Sequence, residues 1–317
     1  MKENSKGSRL GISLGDQVFR ALTFLMAFVV LGLMVWMGWQ MAAASRLSID
    51  KFGLSFITRV IWDPVKEEFG ALTFIYGTLV TSLLALIIAS PIGIGTAIFL
   101  NEIAPWRLRV IVSFLVELLA AIPSVVYGLW GIFVLAPWLK DVLEPWLAKW
   151  FGFLPLFQGH PLGLGMLAGG LILAVMVLPT IAAISREVMA AVPSSHREAA
   201  LALGATQWEM IRMAVLSYSK SGILGAIMLG LGRALGETMA VTMVIGNRPE
   251  ILPSLFAPAY SMASVIANEF TEATSDLYLS ALVEIALILF GITLILNTLA
   301  RLLVWSVARG PKGGHVV

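Results

Sequence analysis

The stretch GTLVTSLLALIIASPIGIGTAIFL, Gly77 to Leu100, carries no charged side chain. A helix needs roughly 20 mostly apolar residues to cross the hydrocarbon core of a bilayer, and this run is longer. Its Gly77, Thr78, Thr81, Ser82, Ser90, Gly93 and Gly95 are small or hydroxylated. Such residues let membrane helices approach closely and hydrogen-bond across their interface. The run therefore reads as a span inside a helical bundle. Whether Thr78 and Thr81 also touch a solute is open at this point.

The rest of the chain agrees. Of its 317 residues 59% are hydrophobic and only 13% charged, with a mean hydropathy of +0.91. That leaves too little polar surface for a soluble protein of this length. Six segments are long and apolar enough to span, at about 19–41, 74–100, 111–135, 164–185, 222–245 and 279–305. The expected fold class is all-α and polytopic. The expected division is an N-terminal segment 1–18, a first span with its outer loop 19–73, a core of five spans 74–305, and a tail 306–317. The N-terminus also resembles a signal peptide, with Lys2, Lys6, Arg9 and Arg20, an apolar run and then Ala42, Ala43 and Ala44. Its apolar run exceeds the roughly 7–15 residues of a signal core, so it is read as an uncleaved span.

Basic residues favour the cytoplasmic side. With both termini, the loop after span 2 and the loop at about 186–221 on one face, the lysine and arginine count is 13 against 7. The termini are therefore expected in the cytoplasm. Pro137, Pro145, Pro155 and Pro161 argue against a long helix in the outer loop 136–163. Trp138, Trp146 and Trp150 in that loop suit the headgroup layer.

The composition excludes several functions. A net charge of +2 is too small to point to nucleic acid. The chain has no cysteine, and its three histidines, His160, His196 and His315, are scattered. Neither disulfides nor a metal-ligand spacing is present. No G-x-x-x-x-G-K-[ST] motif occurs, so the chain is not expected to hydrolyse ATP itself. No paired nucleophile and base points to an enzyme.

Two stretches carry functional information. Residues 193–216 read PSSHREAALALGATQWEMIRMAVL. Ser195 with Glu198, and Thr206 with Glu209, have capping-box spacing. Gly204 lies between them, where a left-handed cap could end a helix. The expectation is helix, glycine turn, helix, forming an apolar docking surface. The second stretch is GLGRALGETMAV, Gly230 to Val241. Arg233 lies eleven residues past Gly222, about 16 Å into the bilayer. A charge there costs at least about 2.5–3.5 kcal/mol and is functional by default. On a continuous helix Glu237 would stack one turn from it on the same face. The bland reading is an ion pair that fixes packing. The functional reading is an anion step, because guanidinium binds oxyanions in bidentate fashion. Glu237 would restrain the arginine and accept a hydrogen bond from a protonated oxyanion.

EAALALG, Glu198 to Gly204, resembles the EAA loop of bacterial ABC-importer permeases. Glu198, Ala199, Ala200 and Gly204 match that pattern, whereas Ser217 stands where proline is usual. The stretches GLGRALGETMAVTMVIGN, YGTLVTSLLALIIASPIGIGTAIFLNE and AAIPSVVYGLWG, with Trp62-Asp63-Pro64 and Phe69-Gly70, are similar to the PstC-type permeases of phosphate importers. These belong to the binding-protein-dependent transport inner-membrane component family. The resemblance implies a type I importer core. It also implies a PstA-type permease partner, a PstB-type ATPase dimer that uses ATP and Mg, and a PstS-type phosphate-binding protein. PhoU and a sensor kinase are implied too. Glu198, Ala199, Ala200 and Gly204 would couple to the ATPase. Arg233 and Glu237, with Thr78 and Thr81, would line the substrate pathway.

Two rival functions stay open. A proton- or sodium-coupled secondary transporter would use Glu237, with Glu117 or Glu284, as a coupling carboxylate. Such carriers commonly contain two similar halves, and no convincing repeat occurs here. The other rival is a channel or structural membrane subunit.

Overall fold

The computed structural model describes residues 14–308, and these are almost wholly helical. In chain order the helices are α1 (Leu14–Ala44), α2 (Arg46–Phe52), α3 (Ser55–Thr58), α4 (Leu72–Ile98), α5 (Trp106–Ala121), α6 (Ser124–Trp130), α7 (Ala136–Trp138) and α8 (Glu144–Phe151). They continue with α9 (Met166–Ala190), α10 (Ser194–Ala202), α11 (Gln207–Met210), α12 (Ser217–Gly236), α13 (Met239–Val244), α14 (Met262–Glu269) and α15 (Asp276–Ala308). Among the described residues six helical stretches are long and apolar enough to cross a membrane: Gly15–Ala44, Leu72–Ile103, Ser124–Phe151, Met166–Ala190, Gln207–Gly236 and Asp276–Ser306.

Helix α9 is the centre of the bundle. Its Ile172, Leu173, Val177 and Ile181 are buried in the main apolar cluster. Helices α4 and α12 flank it, and glycines make that approach possible. A Cβ on Gly93 of α4 would lie 3.0 Å from the Ile181 Cγ2, and one on Gly230 of α12 would lie 2.7 Å from the Val177 Cγ1. Close backbone approach is how membrane helices gain packing energy when lipid is as apolar as their side chains. Helix α1 is the opposite case. Phe19, Phe24, Phe28 and Val35 are exposed, and its main neighbour is α15. A helix apolar on all sides belongs in lipid.

The span at 111–135 needs correction. Pro123 breaks the chain between α5 and α6, and the helix then runs on through π-helical turns to Phe151. Pro137 and Pro145 therefore sit inside it. Each follows a π turn, at Gly131–Leu135 and Leu139–Leu143. A proline ring clashes with the carbonyl four residues back, and the wider π turn displaces that carbonyl. Trp138, Trp146 and Trp150 are exposed on this helix rather than on a loop. Pro155 opens a short 3₁₀ turn and Pro161 lies in the loop beyond.

A second cluster packs Phe52, Phe56, Phe69 and Phe74 against Tyr278 of α15. Trp62 joins its edge, 4.8 Å from the rings of both Phe69 and Phe74. Glu269 is held there, accepting from the Trp62 Nε1–H at 2.8 Å and the Tyr278 hydroxyl at 2.5 Å. One acid of the segment 246–278 is thus used internally.

Candidate functional site

The helical hairpin forms, with one change at its start. Pro193 takes the N-cap position and α10 begins at Ser194, with no side-chain cap. The Ser195–Glu198 capping box is therefore absent: Ser195 already lies inside the helix. Proline is tolerated here because the N-cap residue keeps a non-helical backbone, with φ −57° and ψ 140°, and its N–H makes no intrahelical bond. The turn is as the glycine requires. Gly204 has φ +84°, its N–H bonds the Leu201 carbonyl at 3.0 Å, and the Ala205 N–H bonds the Ala200 carbonyl at 3.2 Å. This is a Schellman cap. Thr206 and Glu209 form the second capping box, with the Thr206 N–H on the Glu209 Oε2 at 2.8 Å and the Glu209 N–H on the Thr206 Oγ1 at 3.3 Å.

The second leg is not a separate helix. From α11 the chain passes through a π turn, Ile211–Leu216, straight into α12. The fifth span thus begins as part of the hairpin, earlier than residue 222. Ile211 and Val215 pack with Ala97, Met189 and Val192 at the ends of α4 and α9. The tip faces outward. Glu198 and Ala199 are exposed and Ala200 is half-buried. Leu203 is 89% exposed and Trp208 61%. His196, Leu203, Ala205 and Met213 line an open groove beside the turn.

The charged pair is arranged differently from a stacked ion pair. Helix α12 ends at Gly236, Glu237 is extended at φ −71° and ψ 125°, and α13 resumes at Met239. Arg233 lies in the last turn of α12, and the Glu237 Oε1 accepts from the Ala240 N–H at 3.4 Å. Each charge thus complements a helix end: the cation a C-terminus, the carboxylate an N-terminus. Among the described residues no ion pair joins the two. Arg233 is exposed and Glu237 half-buried. Broken backbone at membrane depth is tolerated only inside protein or beside a water-filled cavity. Helix α13 is held by α6. A Cβ on Gly128 would lie 2.4 Å from the Met243 Sδ and 3.3 Å from the Ala240 Cα.

Thr78 and Thr81 are buried. The Thr78 Oγ1 donates to the Phe74 carbonyl at 2.8 Å and accepts from the Met262 N–H at 2.9 Å. The Thr81 Oγ1 donates to the Gly77 carbonyl at 2.7 Å. Both hydroxyls serve helix contacts, and no hydrogen bond links either to Arg233 or Glu237.

The sequence reading missed Arg197. Its guanidinium grips Glu102 at 2.8 Å and donates to the Val192 and Met189 carbonyls at 2.6 and 3.0 Å. Ninety-five residues separate it from Glu102, so no local pattern pointed to the pair. Arg186 similarly ties α9 to α5 through Ser113 at 2.5 Å and Glu117 at 3.7 Å.

Residues 89–309 match the family described as binding-protein-dependent transport system inner membrane component. The phosphate transport system permease protein PstC of Mesorhizobium japonicum is 49% identical over 293 residues, covering 91% of this chain and 90% of that protein. PstC of Pasteurella multocida is 47% identical over 312 residues, covering 97% of each. A probable PstC of Methanocaldococcus jannaschii is 39% identical over 256 residues, covering 79% and 81%. Among solved structures, a bacterial ABC transporter involved in alginate import aligns with a TM-score of 0.58 at 18% identity, covering 90% of this chain and 98% of that one. An inward-facing MetNI methionine transporter aligns at 0.55 and 17% identity, covering 78% and all of that chain.

Proposed function

Because this chain belongs to the binding-protein-dependent transport system inner membrane component family, we propose that Arg233 and Glu237 form the phosphate step of an importer. The chain is the permease subunit of a phosphate ABC importer and a multi-pass protein of the inner membrane. The observation that supports the pathway role is the helix break at Glu237 beside an exposed guanidinium with no ion-pair partner among the described residues. An arginine already locked to a carboxylate would have little to offer an anion. Here Glu237 spends one oxygen on the end of α13, and its Oε2 is left to accept a hydrogen bond from a protonated oxyanion. Sulfate at neutral pH offers no such donor. A site must also release what it binds, and a nearby carboxylate weakens the hold of the arginine on an anion. Thr78 and Thr81 fit a packing role better, since both hydroxyls are engaged.

In this reading the termini and hairpin face the cytoplasm. The division into the N-terminal segment 1–18, the region 19–73, the core 74–305 and the tail 306–317 follows from the same topology. Glu198, Ala199, Ala200 and Gly204 present the α10 tip to a PstB-type ATPase, which uses ATP and Mg. A PstA-type permease completes the membrane unit, a PstS-type protein delivers phosphate, and PhoU with a sensor kinase reads the complex. Closure of the ATPase moves the hairpin, and the bundle alternates access around Arg233. Expression of this chain in cells lacking their own permease, with the partner subunits present, is expected to restore labelled phosphate uptake. Excess unlabelled sulfate should not compete. No restoration at normal membrane levels, or equal competition by sulfate, would refute the assignment.

A further inference from the structure

We propose that Glu102 is a coupling joint that ties both legs of the hairpin to the end of the second span. The inference rests on the ATPase-coupling reading of the hairpin and adds a route through span 2. Glu102 sits in the π turn Phe99–Ile103 that ends α4. Its carboxylate receives the Arg197 fork from α10: Nε at 3.3 and 3.2 Å from Oε1 and Oε2, and Nη2 at 2.8 Å from Oε1. Its backbone carbonyl accepts from the Gln207 Nε2 of α11 at 3.3 Å. One residue thus holds the helix before the glycine turn and the helix after it.

The surroundings make the joint stiff. The Asn101 Nδ2 donates to the Glu102 Oε1 at 2.9 Å, and the Arg109 Nη2 donates to the Asn101 carbonyl at 3.0 Å. Arg197 also clasps the carbonyls of Met189 and Val192 where α9 ends. The ion pair is sheltered, with only 6% of the Glu102 side chain and 21% of the Arg197 side chain exposed. A planar fork on a carboxylate fixes direction as well as distance. π turns interrupt regular helices frequently at functional positions. A push on the exposed α10 tip therefore reaches α4 and α9 together. Without the pair, the hairpin would be linked to the end of α4 by the exposed Gln207 bond to the Glu102 carbonyl and by apolar contacts such as those of Ala97 and Ile211. Side-chain packing of that kind can slide, whereas a bidentate pair resists displacement in its plane.

The test uses the full complex in proteoliposomes, reading ATP hydrolysed per phosphate imported. Glu102→Gln keeps the shape and removes the charge. It is expected to cut import about tenfold, the effect of losing one charge-assisted hydrogen bond. ATP hydrolysis should persist, so the ratio rises. A residue that only stabilised the fold would lower both activities together and leave the ratio fixed. Arg197→Lys keeps the charge and loses the fork, and it should raise the ratio by a smaller factor. It serves as the reading if the Glu102→Gln complex does not assemble. An unchanged ratio in the assembled variant, beside a wild-type complex that imports normally, overturns the proposal. A wild-type complex that hydrolyses ATP and imports no phosphate would instead overturn the functional reading beneath it.

Discussion

A complex carrying Arg233→Gln is expected to assemble at the wild-type level and to lose phosphate uptake by at least about 100-fold. The reasoning starts from the geometry of the break between α12 and α13. Arg233 is exposed in the last turn of α12 and does not support any packed contact by an ion pair among the described residues. Removing its charge should therefore cost the fold little. Two charge-assisted bonds to an oxyanion are worth roughly 1.5–3 kcal/mol each, and each 1.4 kcal/mol is about a factor of ten. Glutamine can donate to phosphate but carries no charge to attract it. Labelled uptake in cells, at matched membrane levels, gives the result. Unchanged uptake would mean that Arg233 only complements the helix end, and the pathway would have to lie elsewhere.

The second large effect is expected at the hairpin tip. Leu203→Asp should weaken binding of the ATPase subunit by at least about 100-fold and leave the purified permease intact. Leu203 is 89% exposed at the C-cap of α10, just before the Gly204 turn, so its side chain contributes almost nothing to the chain's own core. Burying a leucine against a partner is worth roughly 1.5–3 kcal/mol. Placing an aspartate in the same apolar contact forfeits that gain and adds the cost of desolvating a charge. A binding titration of the ATPase against permease in nanodiscs measures the change. Equal affinity for wild type and variant would show that the tip is not the docking surface.

What the sequence revealed, and what it concealed, follows from the range of the interactions. Thr206 and Glu209 meet across three residues, and Gly204 adopts the positive φ that its turn requires. Both depend on neighbours in the chain, so both were legible. The six spans were visible because each carries its own apolar run. The failures have two sources, local backbone breaks that spacing does not show and partners distant in the chain. Pro137 and Pro145 looked like helix breakers, yet the π turns before them absorb the ring, and hydropathy patterns carry no sign of π turns. Ser195 had the right spacing for a cap, but Pro193 started the helix two residues sooner. The four-residue spacing of Arg233 and Glu237 assumed unbroken helix. The break falls after Gly236, one of several glycines in that stretch, and nothing local distinguishes it from Gly230 or Gly232. Thr78 and Thr81 were visible as hydroxyls within an apolar run, but their partners include Met262 of a distant helix. The Arg197–Glu102 pair, 95 residues apart, is the same lesson.

The most direct measurement is labelled phosphate import by the purified complex of this chain with its partner permease, ATPase and binding protein, reconstituted in liposomes. With MgATP on the ATPase side, import should proceed and should survive ionophores that collapse proton and sodium gradients. Without ATP, an imposed gradient of either ion should drive none. Import driven by an ion gradient in the absence of ATP would contradict the account and make Glu237 a coupling carboxylate of a secondary carrier.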